Sequence, residues 1–208
     1  MSSSPSISPS SPPASLIRRL RHALADRERI ALSDGSAKKA AVLVALVQRG
    51  DDIDLLCFLR TANVFEHKSE ICFPGGSLEA DDDGAVGAAL REAREELGID
   101  PGDVDVLGLL DDVATHVSGY SVTPVVGYIR AMPNLVPDQL EVELPIVVPL
   151  RHLMDPGSES AEFSECGGVT RLRYSYAFGG RRIWGATGRI IRNLLDVLLA
   201  VAAQGMES

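Results

Sequence analysis

The sequence predicts an α/β protein: a central mixed sheet with helices on its faces. Two observations carry that prediction. Apolar runs of strand length dominate the chain, at Ala40–Val47, Leu55–Leu59, Val104–Leu110, Val122–Ile129 and Thr170–Phe178. Stretches of helical period punctuate those runs rather than gathering in one half, which is the pattern of helices layered on a sheet.

Taken in order, residues 1–14 are mostly Ser and Pro. Such a segment buries too little apolar surface to offset its ordering entropy and is expected to be a disordered tail. Residues 15–208 are then expected to form a single domain. Leu16, Ile17, Leu20 and Leu24 mark an amphipathic helix from Ala14 to about Asp26. The first two strands, Ala40–Val47 and Leu55–Leu59, flank Arg49-Gly50-Asp51-Asp52, which reads as a hairpin turn. Asp81-Asp82-Asp83-Gly84 precedes a helix from about Ala85 to Leu97, and Gly98 supplies its stop. Leu150–Met154 reads as a short helical turn, and residues 187–203 as a strongly apolar final helix.

Composition excludes several functions. The net charge of −9 makes nonspecific binding to nucleic acid or to a membrane surface unfavourable, so neither is expected as a partner. An anionic substrate would need a metal or a few arginines to meet it. Cys57, Cys72 and Cys166 are odd in number and lack C-x-x-C spacing, which suggests neither a disulfide framework nor a zinc site. No apolar run approaches the roughly 18 residues of a membrane span, and the N-terminus is not built like a secretory signal. A reducing, cytoplasmic location is expected, with the protein a monomer or homodimer.

The densest chemistry lies in Arg91-Glu92-Ala93-Arg94-Glu95-Glu96-Leu97-Gly98, shortly after the Gly75-Gly76 turn. At about 100° per residue from Val86, residues Ala89, Leu90, Ala93 and Leu97 form the stripe expected to pack on the sheet. Glu92 and Glu96 fall side by side about one turn apart, at the border of that stripe. They are expected to be half-buried and parallel, suited to gripping a hard divalent cation such as Mg²⁺, which takes carboxylate oxygens and binds phosphates. Arg91 and Glu95, spaced i, i+4, lie on the opposite side, where the arginine holds the glutamate in place. By itself the pattern is more often that of a solvated face with ordinary salt bridges.

The surrounding residues separate the two readings. Phe73-Pro74-Gly75-Gly76, then Asp82, then Arg91-Glu92-Ala93-x-Glu95-Glu96-x-Gly98-Ile99 resembles the Nudix box. That pattern is Gly, five residues, Glu, seven residues, then Arg-Glu-U-x-Glu-Glu-x-Gly-U, with U apolar. Here the first acidic position holds Asp82, and eight residues separate it from Arg91. This longer box resembles the coenzyme A pyrophosphatase branch of the family. Arg60, His67, Ile71 and Phe73–Gly76 match that branch's upstream signature, while Thr61, Phe65 and Ser69 stand where Ser, Arg and Gly are usual. Ser118–Gly127, Glu141-Val142-Glu143, Val148-Pro149-Leu150 and Ile183–Thr187 are similar to it as well. The resemblance spans about residues 38–195.

The resemblance implies a Nudix-type α/β/α sandwich and hydrolysis of a pyrophosphate bond, in CoA or an acyl-CoA, giving 3′,5′-ADP and 4′-phosphopantetheine or its acyl form. It implies Mg²⁺ or Mn²⁺ held by Glu92 and Glu96, with Glu95 added directly or through water. It implies Gly75 and Gly76 at the substrate and a general base in Glu141 or Glu143, Glu141 matching better; otherwise both are exposed edge-strand charges. Arg60 is read as a phosphate ligand, or else as the partner of a surface acid. His67 meets adenine or phosphate, or is structural; Phe65 stacks on a base, or packs. Trp184 is read as core. The alternatives are a Nudix hydrolase of ADP-ribose, NADH or a nucleoside triphosphate, which Phe65 and Ser69 keep open, and a Nudix-fold sensor, against which the three intact box glutamates argue.

Overall fold

The computed structural model describes residues 13–32, 37–61, 70–115, 119–166 and 169–204. Among these residues the helices are α1 (Pro13–Asp26), α2 (Gly84–Leu97), α3 (Leu150–Leu153) and α4 (Gly185–Gln204). The strands among them are β1 (Lys38–Arg49), β2 (Asp52–Arg60), β3 (Ile71–Cys72), β4 (Gly75–Ser77), β5 (Asp105–Leu109), β6 (Val113–Ala114), β7 (Tyr120–Ile129), β8 (Val142–Pro149), β9 (Glu159–Cys166), β10 (Val169–Phe178) and β11 (Arg181–Ile183).

The sheet is mixed, as expected. Its spine runs β3-β2-β1-β7-β5, with β4 on β1, β6 on β7 and β8 on β2. The β1–β2 hairpin turns through Gly50, at φ 63°, and keeps Arg49 opposite Asp52. β1 and β7 run parallel in register from Lys38↔Tyr120 to Val47↔Ile129. β7 is almost wholly buried and β1 is buried through Leu43–Val47, which is why these stretches read as continuous apolar runs and not as alternating ones.

The sheet has a core on each face. Beneath α2, Leu43, Ala45, Leu56, Phe58 and Val125 meet Ala89, Ala93 and Leu97. On the other face Leu20 and Leu24 of α1 and Ile191, Leu194 and Leu198 of α4 cover Val44, Leu55, Cys57 and Val126. Helices thus lie on both faces, an α/β/α arrangement. A separate antiparallel sheet, β11-β10-β9, joins the α4 side through Tyr176 and Ile183, both fully buried.

Some short strands escaped the sequence pattern. β3, β4 and β6 are two or three residues long, and β4 is Gly-Gly-Ser, the opposite of a strand-forming composition. β8 contains Pro145 and lies at the outside of β2, where a missing N–H is tolerated. Trp184, read from sequence as core, is 44% exposed. It stands at the junction between β11 and α4, where the chain leaves the small sheet.

α2 ends as its sequence predicts. Gly98 adopts φ 72° and donates its N–H to the carbonyls of Ala93 and Arg94. A Cβ on it would lie 2.9 Å from Cβ of Val136. Gly98→Ala is therefore expected to cost about 1–2 kcal/mol from the left-handed backbone. It should also push away the 136–138 segment; thermal unfolding together with kcat measures both effects.

Candidate active site

α2 lies over β4, and β4 offers almost no side chains to hold it off. The buried residues of the helix are Ala88, Ala89, Ala93, Glu96 and Leu97. That arc is rotated about 50° toward the glutamates from the stripe expected from periodicity. Glu96 is consequently 3% exposed instead of half-buried at a border. Leu90 and Val86 are only partly buried. Bare backbone at Gly75 and Gly76 explains the rotation, because the glutamate side of the helix settles directly onto it.

Both glutamates reach that backbone. Glu96 Oε2 accepts the N–H of Gly75 at 2.8 Å. A Cβ on Gly76 would stand 2.3 Å from Glu92 Oε1, so the carboxylate fills the space a side chain would take. Glu92 is more open, with its side chain 18% exposed.

Two arginines hold the acidic groups. Arg91 grips Asp82 with Nε at 3.0 Å and Nη2 at 3.1 Å, and reaches the carbonyl of Ser77 at 3.0 Å. Its Nη1 donates to Glu92 at 3.0 Å and to Glu95 at 3.2 Å. The sequence-based pairing with Glu95 is present, but Arg91 does more: it ties the acidic loop before α2 to both glutamates. Glu95 itself is turned outward, 59% exposed. Arg60, at the end of β2, joins Glu96 at 3.2 Å to Glu141 at 3.0 Å.

Glu141 is placed by a segment that no sequence signal marked. The N–H groups of Val136 and Asp138 donate to the carbonyls of Leu97 and Glu96 at the end of α2. Thr61 then donates its N–H to Glu141 O and its hydroxyl to Leu140 O. The loop before β8 is thereby tied to both α2 and β2. Glu141 keeps 46% of its side chain exposed, and Glu143 is exposed on β8. His67, Phe65 and Ser69 lie outside the described residues.

The electrostatics are those of crowded carboxylates. Burial pushes Glu96 up to about 8; the Gly75 N–H and Arg60 oppose this, and Glu141 and Glu92 add to it. Burial also raises Glu92, with Arg91 opposing and Glu95 and Glu141 reinforcing. Arg91 holds Asp82 below the usual carboxylate range. Burial raises the thiol of Cys72, beside Arg60 and Glu96, to about 12, so it is an unreactive neighbour.

Among the described residues, no three Asp, Glu, His or Cys side chains stand together as a finished metal cage. Arginines occupy the carboxylates instead. The donor set nevertheless fits a hard cation: oxygen ligands, two of them against glycine backbone, with mutual repulsion that a divalent charge relieves. That fit has a pH signature. The folded protein holds the Glu96 proton to about 8, above the ordinary value of 4.5. Metal-free stability should therefore fall as pH rises between those values and level off above them. A cation held by Glu96 would need its ionised form, so the melting-temperature gain from saturating Mg²⁺ should grow from pH 6 to about 8 and then plateau. Melts with and without Mg²⁺ across that range check both slopes.

An α/β/α sandwich presenting paired helix glutamates to a Gly-Gly backbone defines a class of protein, and comparison with known proteins gives the same class. A family model described as NUDIX domain matches residues 37–157. The chain belongs to that family and is a Nudix hydrolase. It is 36% identical over 171 residues to "Uncharacterized Nudix hydrolase NudL" of Cronobacter sakazakii, covering 81% of this chain and 86% of that protein. It is 35% identical over 158 residues to the protein of the same name from Escherichia coli K12, covering 76% and 81%. Among solved structures, a MutT/nudix family protein from Enterococcus faecalis superposes with TM-score 0.55 at 14% identity, covering 91% of this chain and 70% of that one. At that identity the likeness speaks for the fold alone. No helix among the described residues is long and apolar enough to cross a membrane.

Proposed function

We propose that the protein hydrolyses the pyrophosphate bond of CoA or an acyl-CoA, releasing 3′,5′-ADP and 4′-phosphopantetheine or its acyl form. The observation that carries the hydrolysis is the approach of Glu92 and Glu96 to the Gly75–Gly76 backbone. What supports the CoA branch is the lengthened box, with eight residues between Asp82 and Arg91, and the matching Arg60, Ile71 and Phe73–Gly76.

In this reading Glu92 and Glu96 hold Mg²⁺ or Mn²⁺, with Glu95 contributing directly or through water. When bound, such a cation would supply charge neutralisation at the pyrophosphate and lower the pKa of the attacking water. Glu141, exposed and steered by Arg60 and Thr61, accepts the proton of the attacking water as its oxygen bonds to phosphorus. The bridging P–O bond breaks and the leaving phosphate departs. Arg91 is a positioning residue that fixes Glu92 and Glu95 against the Asp82 loop. Gly75 and Gly76, assigned to the substrate by sequence pattern, serve the site by bringing the main chain to the two glutamates: Gly75 donates its N–H to Glu96, and Gly76 leaves room for the Glu92 carboxylate. His67 is assigned to the substrate by sequence pattern alone.

Phe65 and Ser69, in place of the branch's Arg and Gly, keep open a second substrate class: ADP-ribose, NADH or a nucleoside triphosphate. One screen decides. Purified protein with Mg²⁺ is incubated with CoA, acyl-CoA, ADP-ribose, NADH, a nucleoside triphosphate and dinucleoside polyphosphates, and products are identified by mass. Release of 3′,5′-ADP from CoA is the expected result. Cleavage of other substrates with CoA untouched overturns the substrate, and inertness toward all of them overturns the hydrolysis.

A further inference from the structure

Arg60 matches the family pattern as a phosphate ligand, yet its guanidinium is already engaged. Nη2 donates to Glu96 Oε1 at 3.2 Å and Nη1 to Glu141 Oε2 at 3.0 Å. The head lies over Phe58, 5.5 Å from the ring centroid, with only 18% of the side chain exposed. The two carboxylates come from different elements, Glu96 from α2 and Glu141 from the loop before β8, and their charges repel. A cation bridging them makes the pair tolerable. Each Glu96 oxygen accepts one hydrogen bond, Oε2 from the neutral Gly75 N–H and Oε1 from the charged Arg60, and it is the charged donor that a divalent cation repels. A guanidinium does not lose its proton in a protein, so it must move aside rather than become neutral.

We propose that Arg60 is the site's resident counter-cation: it clamps Glu96 to Glu141 in the metal-free protein and yields Glu96 when a divalent cation binds. The proposal rests on the assignment of Glu96 as a metal ligand. Arg60 keeps Glu141 in place throughout, and its freed Nη2 becomes available to a substrate phosphate oxygen. That reconciles its present engagement with the role the family pattern gives it. It also imposes an order, because the phosphate ligand is released only after metal has loaded. Arg60 is in this sense a positioning residue, and metal binding itself reports on it.

The test is calorimetric binding of Mn²⁺ to the wild type, Arg60→Gln, Arg60→Lys and Glu96→Gln, with melting temperatures taken with and without metal. Arg60→Gln should bind Mn²⁺ about tenfold more tightly, since a positive competitor is gone. It should melt lower than wild type without metal, and the deficit should shrink at saturating Mn²⁺. Arg60→Lys keeps the charge and should stay near wild type in both. An Arg60→Gln affinity equal to or weaker than wild type overturns the proposal. A wild type that binds no Mn²⁺, or a Glu96→Gln that binds it equally well, overturns the metal assignment beneath it. Should Arg60→Gln fail to fold, side-chain NMR of Arg60 in the wild type decides. Its guanidinium signals should shift on Mg²⁺ titration, and signals that do not move overturn the exchange.

Discussion

Glu92→Gln should lower kcat by about a thousandfold while leaving the fold intact. Metal-assisted stabilisation of phosphoryl transfer is worth several kcal/mol, and each 1.36 kcal/mol is tenfold in rate, so losing one carboxylate ligand on the order of 4 kcal/mol gives that factor. The structure says why stability should survive. Glu92 draws one hydrogen bond from Arg91, and Arg91 retains Asp82, Ser77 and Glu95 without it. Glutamine also preserves the shape that fills the space beside Gly76. The expected melting change is under about 1 kcal/mol equivalent, in the range of a partly exposed ion pair. The Mg²⁺-induced rise in melting temperature should largely vanish with the activity. Steady-state kinetics and melts on one preparation make the comparison. A variant that hydrolyses every pyrophosphate substrate as fast as wild type would remove Glu92 from the site.

That prediction was open to the sequence, since the spacing of Glu92 and Glu96 on one helix face is arithmetic. So were β1, β2 and β7, whose continuous apolar runs announce burial on both sides, and the Gly98 stop of α2. What stayed hidden depends on partners distant along the chain. Periodicity put Glu96 at a border because it counts the helix's own apolar residues and knows nothing of the bare β4 beneath. Arg91 was seen with Glu95, an i+4 neighbour, but its strongest grip is on Asp82, nine residues back across the loop. The anchoring of Glu141 through Thr61 and the end of α2 leaves no local trace, being backbone hydrogen bonds between segments dozens of residues apart. Trp184 shows the opposite error: a large aromatic beside apolar neighbours suggests core, but its place at a strand-to-helix junction leaves it in solvent.

The two glycines of β4 should respond in opposite ways to the same added methyl group. At Gly75 a Cβ would lie 2.3 Å from the carbonyl oxygen of Ala41 and 2.6 Å from Cα of Val42, both backbone atoms of the central strand β1. Neither can move without opening the β1–β4 pairing, in which Val42 faces Gly75. Gly75→Ala is therefore expected to cost about 2–3 kcal/mol, the usual range for overpacking. That corresponds to a fall in melting temperature on the order of 5–10 °C for a domain of this size. At Gly76 the obstruction is the carboxylate of Glu92, the free end of a flexible side chain. It can swing away, so Gly76→Ala should cost less than about 1 kcal/mol. The carboxylate then no longer rests against the β4 backbone, and misplacement of about 1 Å in a catalytic group can cost on the order of a hundredfold in rate. Gly76→Ala should thus be a well-folded, poorly active protein with a weakened Mg²⁺-induced melting shift, and Gly75→Ala a destabilised one. If Gly76→Ala kept full activity, the closeness of Glu92 to the β4 backbone would be packing alone, and the metal pair would have to be sought elsewhere on α2.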